Sequence, residues 1–331
     1  MKTLLKVLGV TLSILVVGAS GLLAYVNSAF PKVSPAPDLR IEPTQARLKR
    51  GEYLVNTTVG CLGCHSQRAQ DKLNFPVRKD VLGAGGFVMD KRIMGLPGTL
   101  VTRNITPHNL KDWTDGELVR ALRVGVNKKG QALFPLMPYQ HYRELSQEDL
   151  YSVVAYIRSI KSIASDPAPT KLDFPVNFIV KTVPKDAGAF PADPDRKDKV
   201  AYGRYLVNAA SCTECHTPRD GQGKPLPGLD LAGGNEFHLA DGSTSRSVNI
   251  TPDKATGIGD WSKDYFIQRF RKGRQMVLSG AKVGPGDFNS FMPWEEYGGM
   301  TDEDLGAIHE YLQKGVKPVK NQVEKFTPKK P

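Results

Sequence analysis

The longest unbroken pattern along the chain is apolar: Val7 to Val26 is a run of 20 residues without a charge, preceded by Lys2 and Lys6. A helix of that length reaches about 30 Å, the thickness of a bilayer's hydrocarbon core. A cleaved signal sequence has a shorter apolar region followed by a small-residue site. Gly18-Ala19-Ser20 offers such a site, but Gly21-Leu22-Leu23-Ala24-Tyr25-Val26 carries the apolar run beyond it. The pattern therefore predicts a single transmembrane helix within residues 1–26, with a cleaved signal sequence and a soluble mature chain as the alternative. Residues 27–43 read as a Pro-rich tether.

Beyond the tether the pattern turns helical and occurs twice. Leu150, Val153, Val154 and Ile157 fall at i, i+3, i+4 and i+7, one face of a helix. Ser146 stands at its start with Asp149 three residues on, and Thr301 and Asp304 repeat the arrangement. A second helix is expected after Thr114, which has Glu117 three residues on as a capping box requires; Ser262 holds the matching place. A third segment, 44–58 and again 197–210, is amphipathic. Short motifs recur in the same order: Gly51-Glu52-Tyr53-Leu54-Val55-Asn56 with Gly203-Arg204-Tyr205-Leu206-Val207-Asn208, Asn104-Ile105-Thr106-Pro107 with Asn249-Ile250-Thr251-Pro252, Asp112-Trp113 with Asp260-Trp261, and Met137-Pro138 with Met292-Pro293. The expected fold is all-α: two tandem domains of three main helices, 44–160 and 197–315, joined by a Pro-rich linker over 161–196 and followed by a basic tail over 316–331. Each domain is expected to fold around its own core.

Lysine and arginine exceed aspartate and glutamate by 45 − 34 = 11. Such a surplus suits an acidic protein partner, bound anionic cofactors or nucleic acid. With no helix-turn-helix pattern, no zinc-finger spacing and no basic helix, nucleic acid is the weakest of these.

All four cysteines lie in two copies of C-x-x-C-H: Cys61-Leu62-Gly63-Cys64-His65 and Cys212-Thr213-Glu214-Cys215-His216. This is the spacing of covalent c-type haem attachment. Two thiols three residues apart on a tight turn reach the two vinyl groups of one haem, and the next residue, histidine, lies under the iron. A four-cysteine zinc site brings its halves within about 15–20 residues, whereas Cys64 and Cys212 are 212 − 64 = 148 apart. A thioredoxin-like pair needs a βαβ setting that neither segment has, and a disulfide across so short a loop gains little. The expected cofactors are two haem c groups, bound by Cys61, Cys64, Cys212 and Cys215, with His65 and His216 as proximal iron ligands.

For the sixth iron position the paired Met137 and Met292 stand out, each in an apolar setting and followed by a proline that holds the methionine extended. Met89, Met94, Met276 and Met300 compete but are unpaired across the repeat, as are His141 and His238. His108 and His309 read as surface or turn residues. Asn104, Asn249, Trp113 and Trp261 serve either the haem edge or, equally, a turn and a core.

On G-x-Y-L-V before each C-x-x-C-H, N-I-T-P, D-W-[ST], and Phe134-Pro135-Leu136-Met137-Pro138-Tyr139 or Phe291-Met292-Pro293-Trp294, the chain resembles the class I cytochrome c family. More closely, it is similar to the multi-haem cytochrome subunits of bacterial membrane-bound alcohol and gluconate dehydrogenases. The likeness covers about 44–160 and 197–315. It implies helical domains around haem, His/Met-ligated iron, and electron transfer from a dehydrogenase toward a quinone or an oxidase. It also implies haem attachment outside the cytoplasm, with the N-terminus inside. Those subunits carry three haem motifs and this chain has two. The leading expectation is a non-catalytic electron relay between redox-protein partners of a respiratory chain, at the periplasmic face of the cytoplasmic membrane. The alternative is a two-haem peroxidase with one open iron, which requires an asymmetry between the haems that the repeat does not display.

Overall fold

A computed structural model describes residues 1–221 and 223–329. Helix α1 (Lys2–Ala29) contains the apolar run and buries none of its residues. It is long and apolar enough to cross a membrane, a property that a signal sequence shares. Two similar helical units follow.

In the first unit, α2 (Gln45–Asn56) leads into α3 (Cys61–Cys64), the turn of the first C-x-x-C-H. A hairpin of β1 (Val88–Met89) and β2 (Gly98–Val101) precedes α4 (Pro107–Leu110), α5 (Asp115–Val124), α6 (Tyr139–Tyr142) and α7 (Gln147–Ser159). The connection carries β3 (Lys171–Leu172), α8 (Val176–Ile179) and a 3-10 turn over Val180–Thr182. The second unit repeats the scheme with α9 (Lys199–Ala209), α10 (Cys212–His216), β4 (Glu236–His238), β5 (Thr244–Arg246), α11 (Lys263–Leu278), α12 (Trp294–Tyr297) and α13 (Asp302–Lys314), and closes with β6 (Phe326–Thr327).

The caps read from the sequence form. Thr114 Oγ1 accepts from the Glu117 N–H while Glu117 accepts from the Thr114 N–H, closing both sides of the box. Ser262, Ser146 and Thr301 each accept from the N–H three residues on, which satisfies donors that a helix leaves unpaired in its first turn.

The expectation of an all-α fold with three main helices per unit needs correction. Helices dominate, but there are thirteen of them among the described residues, together with two three-stranded antiparallel sheets, β1-β2-β3 and β4-β5-β6. The third strand of each sheet comes from segments read as linker and tail: Leu172 pairs with Gly98, and Phe326 with Ser245. Asn104 holds the first of these returning segments, donating to the carbonyls of Ile163 and Ser165, and Asn249 holds the second through Val319. Both asparagines are nearly inaccessible, so in this structure they act as braces. Residues 27–43 also differ from a free tether. Ile41 is buried and its N–H donates to Asp115, Ser34 binds Asp186, and the Pro37 carbonyl lies against Gly116.

Each unit has a core where its first helix crosses its last, α2 on α7 and α9 on α13. The repeated glycine marks the crossing. A Cβ on Gly51 would sit 2.0 Å from the Ser152 carbonyl oxygen, and one on Gly203 1.9 Å from that of Ala307. Overpacking of this kind costs about 1–3 kcal/mol. Because backbone would have to move, Gly51→Ala and Gly203→Ala are each expected to lose stability at the upper end of that range, read as a lower urea midpoint with an unchanged denaturant slope.

The units are not independent. Tyr53 of α2 donates to Asp304 of α13 at 2.6 Å, and Tyr205 of α9 donates to Asp149 of α7 at 2.6 Å. The two bonds are reciprocal, since Tyr53 and Tyr205, and Asp149 and Asp304, hold matching places in the repeat. Arg50 completes the site at Asp149 with a bidentate contact at 2.7 and 2.8 Å; Tyr202, its counterpart, completes the site at Asp304 at 2.9 Å. Burial, reinforced by Asp304, pushes the Tyr53 phenol up to about 12, and burial with the facing aspartates also raises Tyr202 and Tyr205. A free tyrosine ionises near 10. Below that pH neither the folded nor the unfolded chain releases these protons. Between about 10 and 12 the unfolded chain does and the folded chain does not, so stability is expected to fall across that window. Urea midpoints on either side of it check this, with Tyr53→Phe showing a shallower decline.

Candidate functional site

The two C-x-x-C-H turns are built alike. Gly60 and Ser211, the residues before Cys61 and Cys212, both sit in the left-handed region at φ 64° and 54°, and this reversal turns the chain out of the first helix into the short haem-motif helix. Serine there is strained relative to glycine. No disulfide joins the four cysteines; Cys61 is buried, Cys212 half-buried, and Cys64 and Cys215 are exposed. Burial pushes the thiols of Cys61 and Cys212 up to about 12.

Each histidine is oriented by the same device. His65 Nδ1 pairs with the Arg103 carbonyl at 2.7 Å, and His216 Nδ1 with the Val248 carbonyl at 2.7 Å. A carbonyl accepts only, so Nδ1 carries the proton and Nε2 is left as the lone-pair donor, the tautomer an iron ligand requires. Burial also lowers both imidazole pKa values, which keeps the rings neutral. Among the described residues no group of three or more His, Cys, Asp or Glu could hold a free metal ion. Paired thiols with an adjacent, oriented, neutral imidazole fit a covalently attached haem instead.

Met137 and Met292 occupy equivalent turns. The Tyr139 N–H donates to the Met137 carbonyl at 2.8 Å and the Trp294 N–H to the Met292 carbonyl at 2.7 Å. Between them Pro138 (φ −82°, ψ 53°) and Pro293 (φ −74°, ψ 62°) form inverse γ-turns. Both methionines are half-buried, and Met137 packs against the cluster containing Cys61 and Leu62. The competitors are used elsewhere. Met300 is fully buried in the second core, Met276 is exposed on α11, and Met89 and Met94 belong to a small cluster around β1–β2. His141 has both ring nitrogens engaged, with Asn208 at 2.8 Å and Glu214 at 2.7 Å, and His238 is exposed on β4. His309, read from sequence as surface or turn, is buried: its Nε2 donates to the Trp261 carbonyl at 2.9 Å and its ring packs on Phe266.

His141 and Glu296, neither of them part of a repeated motif, link each unit to the other's turn. His141 of α6 reaches Glu214 inside the second C-x-x-C-H, and Glu296, its counterpart on α12, lies against Gly63 inside the first and 3.8 Å from Arg68. These two contacts place both turns at the interface between the units. The loop before Met292 is braced by the first unit as well. Asn74 N–H donates to Asn289 at 2.6 Å, its amide donates to the Ser290 carbonyl at 2.7 Å, and Phe75 stacks on Phe291 at 4.9 Å.

The two helical units each present a C-x-x-C-H turn with an oriented histidine and a Met-Pro turn. Comparison with known proteins finds relatives that are c-type cytochromes by name. The chain is 32% identical over 303 residues to the cytochrome subunit of a fructose dehydrogenase from Gluconobacter japonicus, covering 88% of this chain and 57% of that one. It is 28% identical over 287 residues to the cytochrome c subunit of a quinone alcohol dehydrogenase from Gluconobacter oxydans, covering 81% and 55%. A dihaem c-type cytochrome of Cereibacter sphaeroides is 29% identical over 268 residues, covering 77% and 81%. The chain is thus a homologue of cytochrome c subunits of dehydrogenases and of a dihaem cytochrome c. It spans a little over half the length of the two dehydrogenase subunits. These relatives are cytochrome components, not catalytic dehydrogenase chains. No family model matches the chain.

Proposed function

We propose that the chain is a two-haem c-type cytochrome that relays electrons outside the cytoplasm, between a dehydrogenase or other reductase as donor and a quinone, an oxidase or a soluble carrier as acceptor. The observation that carries this reading is the equivalence of the two turns, His65 and His216 being held through Nδ1 by a backbone carbonyl at the same 2.7 Å. Cys61 and Cys64 would hold one haem and Cys212 and Cys215 the other. His65 with Met137, and His216 with Met292, would be the axial ligands. Haem bound in this way supplies a reversible one-electron iron couple whose potential methionine raises. The protein's own share is positional: carbonyls fix the histidine tautomer, inverse γ-turns present the methionines, and the Tyr–Asp pairs keep the two turns adjacent. The tandem cytochrome domains would occupy about 44–160 and 197–315, each extended by its returning strand. Helix α1 would remain as a single-pass anchor, with the haem domains on the periplasmic side. The relatives' names support a dehydrogenase as the donor.

A spectroelectrochemical titration tests the proposal against a peroxidase. A relay takes up one electron per haem with both irons low-spin in each state. One persistently high-spin iron that turns over hydrogen peroxide would favour the enzyme.

A further inference from the structure

The connection between the units carries an apolar patch that neither core uses. Phe174 is 69% exposed and Ile179 56% exposed, and Phe178 packs edge-on against Phe174 with ring centroids 6.0 Å apart. Apolar groups gathered this way on an otherwise polar surface mark a contact site. Where the patch lies identifies the contact. Helix α1 packs against α8 and the 3-10 turn that follows it, and Lys181 on that turn donates to the Asn27 side chain. Asn27 is the first residue after the apolar run ending at Val26. If that run spans the hydrocarbon core, Asn27 stands at its edge, and so does Lys181. Phe178 and Ile179 lie within one turn of Lys181, whose ammonium sits 5.3 Å from the Phe178 ring centroid. Exposed aromatic and aliphatic side chains beside a lysine are the composition of a segment lying in the headgroup region.

The patch is also fixed to the first unit. On one side β3 pairs with β2, and on the other Asp186 binds Ser34 while the Lys185 carbonyl accepts from Arg143. Contact of the patch with lipid would therefore set the attitude of the haem-bearing unit over the bilayer.

We propose that Phe174–Lys181 is a second membrane contact, its apolar side chains seated at the headgroup–acyl boundary beside the exit of α1, so that the protein is held at two points. The proposal rests on the reading of α1 as a retained anchor. Helix and patch together would restrict which face of the first unit meets a membrane-bound redox partner.

Site-directed spin labelling of the full-length holoprotein tests it. Native thiols consumed as thioethers leave an added cysteine as the reactive one, so Phe174→Cys, Ile179→Cys, Leu15→Cys and Lys272→Cys can each be labelled singly. The variants are reconstituted in phosphatidylethanolamine–phosphatidylglycerol vesicles. For the labels at 174 and 179, the ratio of collision with oxygen to collision with an aqueous nickel chelate is expected to exceed the Lys272 value severalfold, and to fall below that at Leu15. Ratios at 174 and 179 equal to that at Lys272, with Leu15 in hydrocarbon, would overturn the second contact while leaving the anchor intact. An aqueous ratio at Leu15 would overturn the anchor and the contact resting on it.

Discussion

Met292→Ala and Met137→Ala are each expected to open one iron to small ligands and lower that haem's potential, on the order of 0.1 V within the ~0.8 V range that axial ligation commands. Replacing the thioether with a methyl leaves water or an added ligand as the sixth donor, and loss of methionine removes its stabilisation of ferrous iron. The oxidised spectrum reports the change directly through loss of half of the methionine–iron charge-transfer absorption at the red end of the visible range. Carbon monoxide should then bind one haem of the reduced protein. Met300→Leu is the control, since Met300 fills the second core and a volume-conserving change there costs less than about 1.5 kcal/mol. A variant that leaves both haems spectrally and electrochemically unchanged would assign that methionine to packing. The Met292 loop should also answer to the first unit: Asn74 and Phe75 brace Asn289, Ser290 and Phe291.

Asp149→Ala is expected to destabilise the protein by about 3–5 kcal/mol, the range for removing one partner of a buried ion pair. Its carboxylate takes two hydrogen bonds from Arg50 and one from Tyr205. The side chains of Arg50 and Asp149 are 20% and 10% exposed, so the guanidinium would be left beside the interface with little water to compensate it. Thermal or urea unfolding followed at the haem band measures the loss. Tyr205→Phe, which leaves the Arg50–Asp149 pair in place, is expected to cost less, about 1.5–3 kcal/mol for a hydrogen bond to a charged group. Because these side chains bridge the units, both variants should also weaken the dependence of one haem's potential on the oxidation state of the other.

The helices and the C-x-x-C-H turns were legible because each follows from local chemistry. Thr114, Ser146, Ser262 and Thr301 announce helix starts by the donor they satisfy, and C-x-x-C-H places two thiols and an imidazole within five residues. The repeat itself singled out Met137 and Met292 as candidate ligands. What the sequence concealed depends on partners far along the chain. Tyr53 and Asp304 are 251 residues apart, and both appear in repeated motifs, yet nothing local distinguishes a tyrosine that bonds across an interface from one that packs in its own core. The glycine of the same motif was visible as a repeat and not as a helix crossing. Strands β3 and β6 are two residues each, too short to leave a periodic signal, so the segments containing them read as linker and tail. His309 went astray for a related reason: its burial follows from packing on Phe266 and from the Trp261 carbonyl, neither of which is near it in sequence.

Each C-x-x-C-H turn is expected to hold its own covalent haem. Intact-mass measurement of the denatured chain, produced in a host that attaches c-type haem, tests it most directly. The expected mass exceeds that of the polypeptide by two haems, falls to one when Cys61 and Cys64 are both replaced by serine, and falls to one again when Cys212 and Cys215 are. A chain that carried a single haem, or released all of its haem into acidified organic solvent, would rule out covalent attachment at both turns.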